Sequence, residues 1–533
     1  MGKKEYLVLV GILALGVVNA FWMLPAATLE DHECFVSVTA REMLASGNWV
    51  LPTMNGQPRI NKTPLCYWLV AGLGKITGHI NEFTTRLPSA VFAVLSAAII
   101  FYFVYQWLGF RIAALSGAVW ATSLAYVRCS HIGRPDMPVA FFITLCLLSF
   151  YSFVISESRG RQIFYAMVFW ISFGIGNLAK GPAPLPLVLL PLFFYIAFNR
   201  KWSVLPKMMP VLGIIIFLAI LLPWPLIVAY KVNWNLVIWK KEFLDRLVGE
   251  YAPGRYPFYY YFIMMFKYIT PWVVFLPVAM AAPFFKGWAE KRAVMKYLWF
   301  WFVVDFIFLT IDVGKRQHYI LPLMPAMAIL VGILLEDMVF SRKVYPPVFI
   351  RRFAIVNVSL VTIAVVGGIG AAAIFWPAKL AGVTILCLFA AGATILMSLL
   401  FYKRKLVAAL AVCFVSVSIS FMVYVWYDAT VVEDFRPVRD FASQIAEKVP
   451  KGAKLVSYGG VSSTFVYYYG TVVQPIPDSE SLYQCYKQGD WIVATSADVV
   501  GLLEDGHFGM VYYKAYQPKL RKHAVGGLFH KSE

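Results

Sequence analysis

Long apolar segments recur along the whole chain, and they constrain its fold more than any other feature. Each has roughly the 20 residues that an α-helix needs to cross the hydrocarbon core of a bilayer, which is about 30 Å thick. The chain is 60% hydrophobic and 14% charged, whereas a soluble domain has about 45–50% apolar and about 25% charged residues. The sequence therefore predicts an all-α polytopic membrane protein. We place about thirteen transmembrane helices at residues 5–24, 86–108, 111–127, 136–155, 163–179, 182–198, 208–230, 259–284, 296–312, 318–336, 352–375, 379–401 and 406–427.

The basic residues between these segments are concentrated in alternate loops, as at Lys3 and Lys4 or at Arg351 and Arg352. Such loops are predicted to face the cytoplasm, because positively charged loops are retained on that side. The opposite loops, including 25–85 and the C-terminal tail, then face the outer side of the membrane. A net charge of +19 could indicate a nucleic-acid-binding protein. The basic residues, however, stand in short clusters between the apolar segments, which indicates loops that face anionic lipid and argues against that function.

The composition changes after the last apolar segment, which divides the chain into two predicted domains. Residues 1–428 are the transmembrane domain, and residues 429–533 are a small periplasmic α/β domain. An amphipathic pattern predicts a helix over 433–449, and another helix is expected over 498–506. Runs rich in β-branched and aromatic residues predict short strands over 453–460, 463–470, 490–496 and 510–516.

The first outer loop, 25–85, has an unusual density of ionisable residues beside a membrane span. Asp31 and Glu33 precede a helical pattern over 34–47, which predicts a juxtamembrane helix lying in the bilayer interface. A carboxylate held there can act as a general base toward a hydroxyl or an amine. It can equally ligate a metal or cap the N-terminus of the helix. The loop is the predicted catalytic loop, and both acids are candidate catalytic residues.

Cations and an aromatic pair follow in the same loop. Lys62 lies between two prolines and just before Tyr67 and Trp68, where an ammonium group can bind a phosphate as a point charge. The alternative is an interfacial lysine whose head group reaches water. We also assign Arg41, Arg59 and Tyr67 to substrate binding.

The other outer loops add more charge, and most of it is positive. A phosphate is the natural ligand, because cations around a leaving phosphate stabilise its developing charge. Asp136 at the start of the fourth span is a further candidate catalytic residue, with a plain helix cap as its alternative, and Lys180 is also read as an interface anchor. The remaining candidate substrate-binding residues are His131, Arg134, Lys180, Arg246, Arg255, Lys315, Arg316, His318 and Tyr319.

Together these motifs resemble the C-superfamily of integral-membrane glycosyltransferases. The likeness is greatest to the bacterial branch that contains the lipid A aminoarabinose transferases, related to protein O-mannosyltransferases, and it covers about residues 1–340. It is carried by Arg41-Glu42-Met43, Asn55-Gly56, Lys62-x-Pro64-Leu65-x-Tyr67-Trp68, Arg134-Pro135-Asp136-Met137, Ala179-Lys180-Gly181, Pro223-Trp224 and His318-Tyr319-Ile320-Leu321-Pro322.

The resemblance implies an inverting glycosyltransferase that moves a sugar from a polyprenyl-phosphate carrier to an acceptor. An acid of the first loop would deprotonate or orient the acceptor with help from Asp136, and Lys62 would hold the carrier phosphate. The family places Asp-Glu about nine residues before the Arg of Arg-Glu-Met. Here His32-Glu33 stands at that place and Asp31 one position earlier, so either acid matches the base, and we favour Asp31.

The expected acceptor is lipid A, lipopolysaccharide or another envelope component, and the expected partners are the lipid-linked donor, that acceptor and membrane lipids, without nucleic acid. A protein acceptor is the alternative within the same family, and a polyprenyl-lipid transporter is the alternative outside it. No cofactor is required by the motifs. A divalent cation stays open as a further alternative, because Asp31, Glu33, His131, Asp136 and His318 offer ligand atoms without a diagnostic spacing. The sugar is not specified by the sequence.

Overall fold

The computed structural model describes eight stretches of the chain, at residues 2–60, 62–232, 256–341, 380–403, 405–432, 438–495, 508–516 and 524–531. The candidate residues Arg246 and Arg255, the predicted span 352–375 and the predicted helix 498–506 lie outside them. The chain divides into two compact units. We call Met1–Trp22 with Ser89–Val425 the membrane unit, and Met23–Pro88 with Trp426–Glu533 the loop–sheet unit.

Most of the described residues are helical. The α-helices are α1 (Lys3–Phe21), α2 (Asp31–Ser46), α3 (Leu65–Thr77), α4 (Glu82–Leu108), α5 (Phe110–Ala121), α6 (Leu124–Ser130), α7 (Asp136–Ile155), α8 (Arg159–Lys180), α9 (Pro184–Phe198), α10 (Val204–Lys207), α11 (Pro210–Leu221), α12 (Pro223–Val232), α13 (Tyr260–Ile269), α14 (Leu276–Ala281), α15 (Arg292–Ile311), α16 (Met324–Glu336), α17 (Leu380–Tyr402), α18 (Leu406–Tyr427), α19 (Val438–Lys448), α20 (Ser463–Tyr469) and α21 (Ser479–Lys487). Short 3₁₀ segments include Trp272–Phe275, Lys286–Lys291 and Gln317–Leu323.

Several of these helices are long and apolar enough to cross a membrane. Within the described residues, six segments pass that test, and three bent helix pairs raise the number to nine if each pair is one span. The segments are Glu82–Leu108, Asp136–Ile155, Arg159–Lys180, Lys286–Ile311, Gln317–Ser341 and Leu406–Thr430. The prediction of a mostly helical multi-pass membrane protein is therefore confirmed.

Three predicted spans are interrupted rather than continuous. The pair α5 and α6 is bent by 53°, α11 and α12 by 42°, and α13 and the following Trp272–Phe284 by 115°. Hydroxyl side chains explain the first break, because Thr122 Oγ1 donates to Ala118 O and Ser123 Oγ donates to Trp120 O, which competes with helix continuation. Pro223 and Pro271 stand at the other two breaks, where a proline lacks the amide hydrogen that a helix needs.

Close helix packing fills the interior of the membrane unit. Helix α7 packs along α8, and α16 packs along α5. Every residue of α16 is buried, so this helix is surrounded by protein. The approach of α16 to α5 is permitted by Gly332, where a Cβ atom would lie 2.3 Å from Ser116 Oγ.

The loop–sheet unit contains a two-stranded hairpin and a five-stranded sheet. The hairpin is β1 (Thr53–Met54) and β2 (Gln57–Pro58), and the strands of the sheet are β3 (Leu455–Tyr458), β4 (Gln474–Ile476), β5 (Trp491–Thr495), β6 (Met510–Tyr516) and β7 (Ala524–Phe529). Their order in the sheet is β4-β3-β5-β7-β6. Strand β3 is parallel to β4 and β5, while β7 is antiparallel to β5 and β6. The helices α20 and α21 supply the crossovers that parallel neighbours require.

The sequence-based prediction was wrong for one element of this unit. Residues 463–470 were expected to form a strand, but Ser463–Tyr469 is helix α20. Ser462 Oγ accepts a hydrogen bond from Phe465 N at the start of the helix, and Gly470 ends it with φ 100°. These two caps and the burial of Phe465 and Val466 outweigh the strand preference of the aromatic run.

Candidate active site

Three residues from separate predicted loops meet in the membrane unit. Asp136 is the first residue of α7, Lys180 is the last residue of α8, and His318 lies in the 3₁₀ segment Gln317–Leu323. Lys180 Nζ forms an ion pair with Asp136 Oδ1, and His318 Nε2 lies 3.6 Å from the same oxygen. The side chain of Lys180 is 24% exposed, that of Asp136 10% and that of His318 16%. The cluster is therefore partly open to a ligand.

The positions of these side chains on their helices are electrostatically favourable. A carboxylate at a helix N-terminus and an ammonium group at a helix C-terminus each interact well with the helix dipole. Gly181 ends α8 with φ 65°, a conformation that favours glycine. Lys180 Nζ also lies 4.7 Å from the centre of the Tyr319 ring. Local structure therefore holds both members of the pair at their helix ends.

The surroundings of the cluster are positively charged. Arg134 and Arg316 both act electrostatically on His318. Among the residues that the structure describes, Asp136 brings one negative charge to this neighbourhood, whereas Lys180, Arg134 and Arg316 bring three positive charges, which is an excess of positive charge. A phosphate group is the ligand that such an excess would attract.

His131 lies at the end of α6 and uses both ring nitrogens. Nδ1 lies 2.8 Å from Val127 O, and Nε2 lies 2.9 Å from Trp22 O. Ser130 Oγ lies 3.2 Å from Nδ1 as well. These contacts hold the His131 ring in place within the membrane unit.

Lys315 and Arg316 lie in the loop between α15 and α16, where much of their bonding stays local. Lys315 is buried, and its Nζ donates to Asp312 O at 2.6 Å. Burial raises the pKa of the Asp312 carboxyl, while Gly314 N donates to it at 2.9 Å. Arg316 N donates to Tyr261 Oη at 3.1 Å. These bonds order the loop that leads into His318.

In the loop–sheet unit, the two acids of the first outer loop have different surroundings. Glu33 is 1% exposed and forms a salt bridge with Arg86, with Nε to Oε1 at 2.9 Å and Nη2 to Oε2 at 3.1 Å. Its Oε2 also accepts from Glu30 N at 3.0 Å. Asp31 is exposed. Of these two acids, Asp31 is thus the one that presents its carboxylate on the surface of this unit.

Asp31 is nevertheless oriented by neighbouring side chains. Its Oδ1 accepts from Thr464 Oγ1 at 2.8 Å, from Ser463 Oγ at 3.1 Å and from Thr464 N at 3.2 Å. All three donors belong to the first turn of α20, so this helix holds the carboxylate in one orientation. The capping role that the sequence left open is therefore real for another helix: Asp31 caps α20, whereas its own helix α2 begins with a capping box formed by Glu30 and Glu33.

Arg41, Arg59 and Tyr67, all predicted to bind substrate, make contacts within the loop–sheet unit. Arg41 donates to Tyr467 O and Val466 O, both at 3.0 Å, and burial lowers its pKa. Arg59 lies 4.2 Å from the centre of the Phe35 ring and donates from Nε to Tyr67 Oη at 3.0 Å. Lys62 is half-buried at the start of the segment before α3.

The sequence analysis missed two residues, Arg86 and Glu42, whose hydrogen bonds stabilise the first outer loop. Arg86 was counted as the first residue of an apolar span, although an arginine at that position is itself a signal. Besides binding Glu33, it donates to Leu24 O, Ala27 O and Thr28 O at 2.8–3.2 Å. Glu42 was noted only as part of a motif, yet its carboxylate accepts from Thr53 Oγ1 at 2.5 Å and from Gly56 N at 3.3 Å, which holds the hairpin.

The side chains that could bind a divalent cation are His, Cys, Asp and Glu. Among the described residues, no group of three or more His, Cys, Asp and Glu side chains is arranged to hold a metal ion. Asp136 is already paired with an ammonium group, which would repel a cation. The membrane-unit cluster therefore suits an anion better than a metal.

Comparison with known proteins gives matches in both sequence and fold. A family model described as dolichyl-phosphate-mannose-protein mannosyltransferase matches residues 61–227. An uncharacterized protein of Aquifex aeolicus is 30% identical over 345 residues, which cover 62% of this chain and 63% of that protein. The undecaprenyl phosphate-alpha-4-amino-4-deoxy-L-arabinose arabinosyl transferase of Aeromonas hydrophila is 28% identical over 57% of this chain and 55% of that enzyme. The aligned part is thus less than two thirds of the length of these curated relatives.

The fold match extends over nearly the entire chain. The crystal structure of ArnT from Cupriavidus metallidurans bound to undecaprenyl phosphate superposes with a TM-score of 0.84 at 20% identity, covering 99% of this chain and 98% of that one. At this identity the likeness establishes the fold. Together with the sequence matches, it confirms the resemblance that the motifs predicted.

Proposed function

We propose that this chain, which resembles the integral-membrane C-superfamily glycosyltransferases in motifs and fold, transfers a sugar from a polyprenyl-phosphate carrier to lipid A, lipopolysaccharide or another envelope acceptor. The observation that carries the proposal is the cluster of Lys180, Asp136 and His318 at span ends, with two arginines nearby. A partly open site with excess positive charge suits a lipid phosphate. The names of the relatives support this class of donor.

The proposed reaction is a direct displacement at the anomeric carbon of the sugar. The acceptor oxygen forms the new glycosidic bond while the bond to the carrier phosphate breaks, and the electron pair leaves with polyprenyl phosphate. Cations stabilise the developing negative charge on that phosphate. Lys180 is assigned to this role in the membrane unit, with Asp136 orienting its ammonium group, and His318 is assigned to hydrogen-bond the phosphate. Lys62 is assigned to the same phosphate through its motif.

Asp31 is the proposed base that accepts the proton of the acceptor or orients it. Its exposure and its three hydrogen bonds to α20 support this assignment, because an aligned carboxylate is what general-base catalysis requires. Glu33 is proposed to be structural, since both of its oxygens are engaged by Arg86 in a buried ion pair. Arg41 and Arg59 are proposed to shape the loop rather than to bind the sugar.

The finer topology is also a proposal. We retain thirteen spans, with a cytoplasmic N-terminus, in a bacterial inner membrane, and a C-terminal α/β domain from residue 429 in the periplasm. The basic loops support this orientation. The mixed sheet with its crossover helices supports the α/β assignment.

A protein acceptor is the second candidate, and one observation favours it. The family model that matches residues 61–227 is described as a protein mannosyltransferase. The acceptor therefore has to be identified by experiment. The class of donor, a polyprenyl-phosphate sugar, is the same for an envelope acceptor and for a protein acceptor.

The test is a transfer assay with the purified full chain in liposomes and a panel of polyprenyl-phosphate sugars, following release of the carrier phosphate. We expect release by the wild type with one donor, and at least tenfold less with Asp31→Asn, Asp136→Asn and Lys180→Met. The control is Lys207→Met, which removes an exposed cation of α10. Absence of release with every donor, from a folded protein that still binds the carrier, would overturn the proposal in favour of lipid transport.

A further inference from the structure

The membrane unit contains a partly open, mostly apolar cavity of about 370 Å³. Its walls come from the 3₁₀ segment Trp272–Phe275, from the end of α16 and from the facing parts of α17 and α18. This volume lies within the range of about 300–1,000 Å³ that is typical of ligand pockets. The described lining of the cavity shares no residue with the cluster of Lys180, Asp136 and His318, so the cavity is not part of the candidate active site.

The cavity and the candidate active site lie at opposite ends of one candidate span. His318 stands near the start of Gln317–Ser341, whereas Leu335, Met338 and Val339 in its last turns line the cavity. At 1.5 Å per residue, His318 and Leu335 are separated by roughly 25 Å along the helix. A molecule bound beside Leu335 is therefore held at the other face of the membrane from the reacting groups.

The hydroxyl groups of the cavity wall make hydrogen bonds within their own segments. Ser398 Oγ, Ser420 Oγ and Thr270 Oγ1 each donate to the carbonyl oxygen four residues earlier, at 2.7, 2.9 and 2.9 Å. Such bonds satisfy the hydroxyl protons without a ligand. The wall therefore makes little demand for a polar occupant.

The interrupted backbone beside the cavity is also satisfied, by another broken span. Helix α13 ends at Ile269, and residues 270–272 line the cavity. Thr270 O accepts from Leu124 N at 2.9 Å, and Trp272 Nε1 donates to Thr122 Oγ1 at 3.2 Å. A break in a membrane helix is tolerated when neighbouring groups satisfy it in this way. These polar groups thus have partners in the protein, which leaves the cavity suited to hydrocarbon.

Lipid chains are the hydrocarbon that reaches this part of the molecule. Leu399 and Val407 follow directly on the lining residues Ser398 and Leu406, and both are more than half exposed. An apolar cavity does not hold water, because water needs polar partners. An empty cavity loses dispersion contacts along its walls. A lipid chain that enters from the surroundings restores those contacts.

Two exposed lysines stand at the turn between the helices that line the cavity. Lys403 follows the end of α17, and Lys405 directly precedes Leu406, a lining residue at the start of α18. Lys403 N donates to Leu399 O at 2.9 Å and Lys405 N to Leu400 O at 2.8 Å, which fixes the backbone of the turn. The turn therefore offers two ammonium groups beside an apolar cavity, an arrangement that complements an anionic lipid.

The acids closest in sequence to the cavity lining belong to a different cavity. Glu336 and Asp337 stand between the lining residues Leu335 and Met338, but both line a separate polar cavity together with Lys291. Glu336 Oε2 lies 2.8 Å from Lys291 Nζ in an ion pair. The end of α16 thus directs its acids and its apolar side chains to different cavities.

We propose that the apolar cavity binds a hydrocarbon chain of an anionic phospholipid, whose phosphate lies at Lys403 and Lys405. The apolar wall selects the chain, and the two lysines select the charge of the head group. In the proposed orientation the turn faces the cytoplasm, and the cytoplasmic leaflet carries anionic lipid. The inference goes beyond the proposed function, because this lipid is neither donor nor acceptor. It fills the space between α16 and α18 and stabilises the folded state, as any ligand of that state does.

The experiment measures lipid binding by native mass spectrometry of the purified full chain, and lipid-dependent stability by thermal unfolding in detergent. The probes are dioleoyl phosphatidylglycerol, dioleoyl phosphatidylcholine and dihexanoyl phosphatidylglycerol. The first two differ in head-group charge, and the first and third differ in chain length. We expect the wild type to bind the first probe about tenfold more tightly than either of the others and to unfold at a higher temperature with it. Equal binding of all three probes by the wild type overturns the inference without any variant.

The chain is tested by filling the cavity. Ala409→Leu and Ala393→Leu each place a larger side chain at a lining position of α18 or α17. Both variants should lose most of the binding of the dioleoyl lipids and the shift in unfolding temperature. Ala411→Leu is the matched control, because Ala411 is an exposed residue of α18 that is absent from the lining. Unchanged binding by a folded, filled variant means that lipid binds only around the outer surface, which overturns the site.

The head group is tested by removing the charges of the turn. The double substitution Lys403→Gln and Lys405→Gln should abolish the preference for phosphatidylglycerol over phosphatidylcholine, whereas Lys403→Arg with Lys405→Arg should retain it. Lys207→Met is the control for an exposed cation elsewhere. A full preference in the folded Gln variant overturns the assignment of the phosphate to these lysines.

Discussion

Arg86 and Glu33 form an ion pair in which both side chains are almost completely buried, at 4% and 1% exposure. The guanidinium group donates to both carboxylate oxygens and to three backbone carbonyls. Removing one partner of such a pair leaves an uncompensated buried charge, which costs about 3–5 kcal/mol. We therefore expect Arg86→Ala and Glu33→Gln each to lower the free energy of unfolding by about that amount, as measured by thermal unfolding in detergent.

An exposed ion pair of the same unit provides the control. Lys454 Nζ lies 2.8 Å from Asp490 Oδ2, and the lysine side chain is 52% exposed. Asp490→Asn should cost less than about 1 kcal/mol, as exposed pairs do. If Glu33→Gln unfolded like the wild type but abolished sugar transfer, Glu33 would be the base and the structural assignment would be wrong.

The orientation of Asp31 by α20 predicts a kinetic effect from a residue outside the first outer loop. Thr464→Val keeps the shape of the side chain but removes the hydroxyl that donates to Asp31 Oδ1 at 2.8 Å. Loss of one such bond, worth about 0.5–1.5 kcal/mol, should lower kcat for transfer by about 2- to 10-fold. The measurement is steady-state release of the carrier phosphate. Ser479→Ala, which removes a hydroxyl bonded to Tyr458, should leave kcat unchanged, and an unchanged kcat for Thr464→Val would separate Asp31 from catalysis.

Much of the fold could be predicted because a membrane span is a local property of the sequence. A run of about 20 apolar residues needs no knowledge of its neighbours. The breaks at Thr122–Ser123 and at Pro271 escaped prediction because transmembrane helices tolerate such residues wherever neighbouring groups satisfy the backbone. In this chain that satisfaction comes from the other broken span, a contact between residues about 150 positions apart.

The residues of the candidate site could also be predicted from the sequence, but their spatial arrangement could not. Asp136, Lys180 and His318 could be named one by one, because charge beside an apolar run stands out in a sequence. Their convergence depends on how α7, α8 and the segment before α16 pack, which no single motif contains. Glu33 illustrates the limit: its partner Arg86 lies 53 residues away, so the sequence could not show that this candidate base is buried in an ion pair.

The close approach of α5 and α16 predicts a sharp size limit at Gly332. A Cβ atom there would lie 2.3 Å from Ser116 Oγ and 2.8 Å from Ser116 N. The second atom belongs to the backbone, so the two helices would have to separate. Gly332→Ala should therefore cost about 1–3 kcal/mol, as overpacking does, in a thermal unfolding assay.

Gly392 of α17 is the matched control, because no described residue outside its own stretch of helix has an atom within 4 Å of the Cβ position there. Gly392→Ala should be neutral or stabilising by up to about 1 kcal/mol, since alanine favours a helix. Equal unfolding temperatures for the two variants would mean that α5 and α16 are not in close contact.

Asp305 distinguishes the transferase from the transporter alternative. It lies within α15 at 0% exposure, and within the described residues neither carboxylate oxygen has a hydrogen-bond partner. An unpaired buried polar group costs about 1–3 kcal/mol, so Asp305→Val, of similar size, should raise the free energy of unfolding by about that amount. Leu309→Val, one turn further along α15 and also buried, should instead lower it by about 0.5–1.5 kcal/mol, by analogy with other single-methylene deletions.

Sugar transfer by Asp305→Val gives the second half of the test. A transferase whose chemistry lies at the span ends does not use a carboxylate in the middle of α15, so transfer should persist at the wild-type rate in the stabilised variant. A transporter would use a mid-span acid to carry an ion or a proton, and substitution there would abolish its activity without unfolding it. Loss of activity in a stabilised Asp305→Val protein would therefore argue for transport, whereas retained transfer leaves Asp305 as a residue that lowers stability without contributing to the reaction.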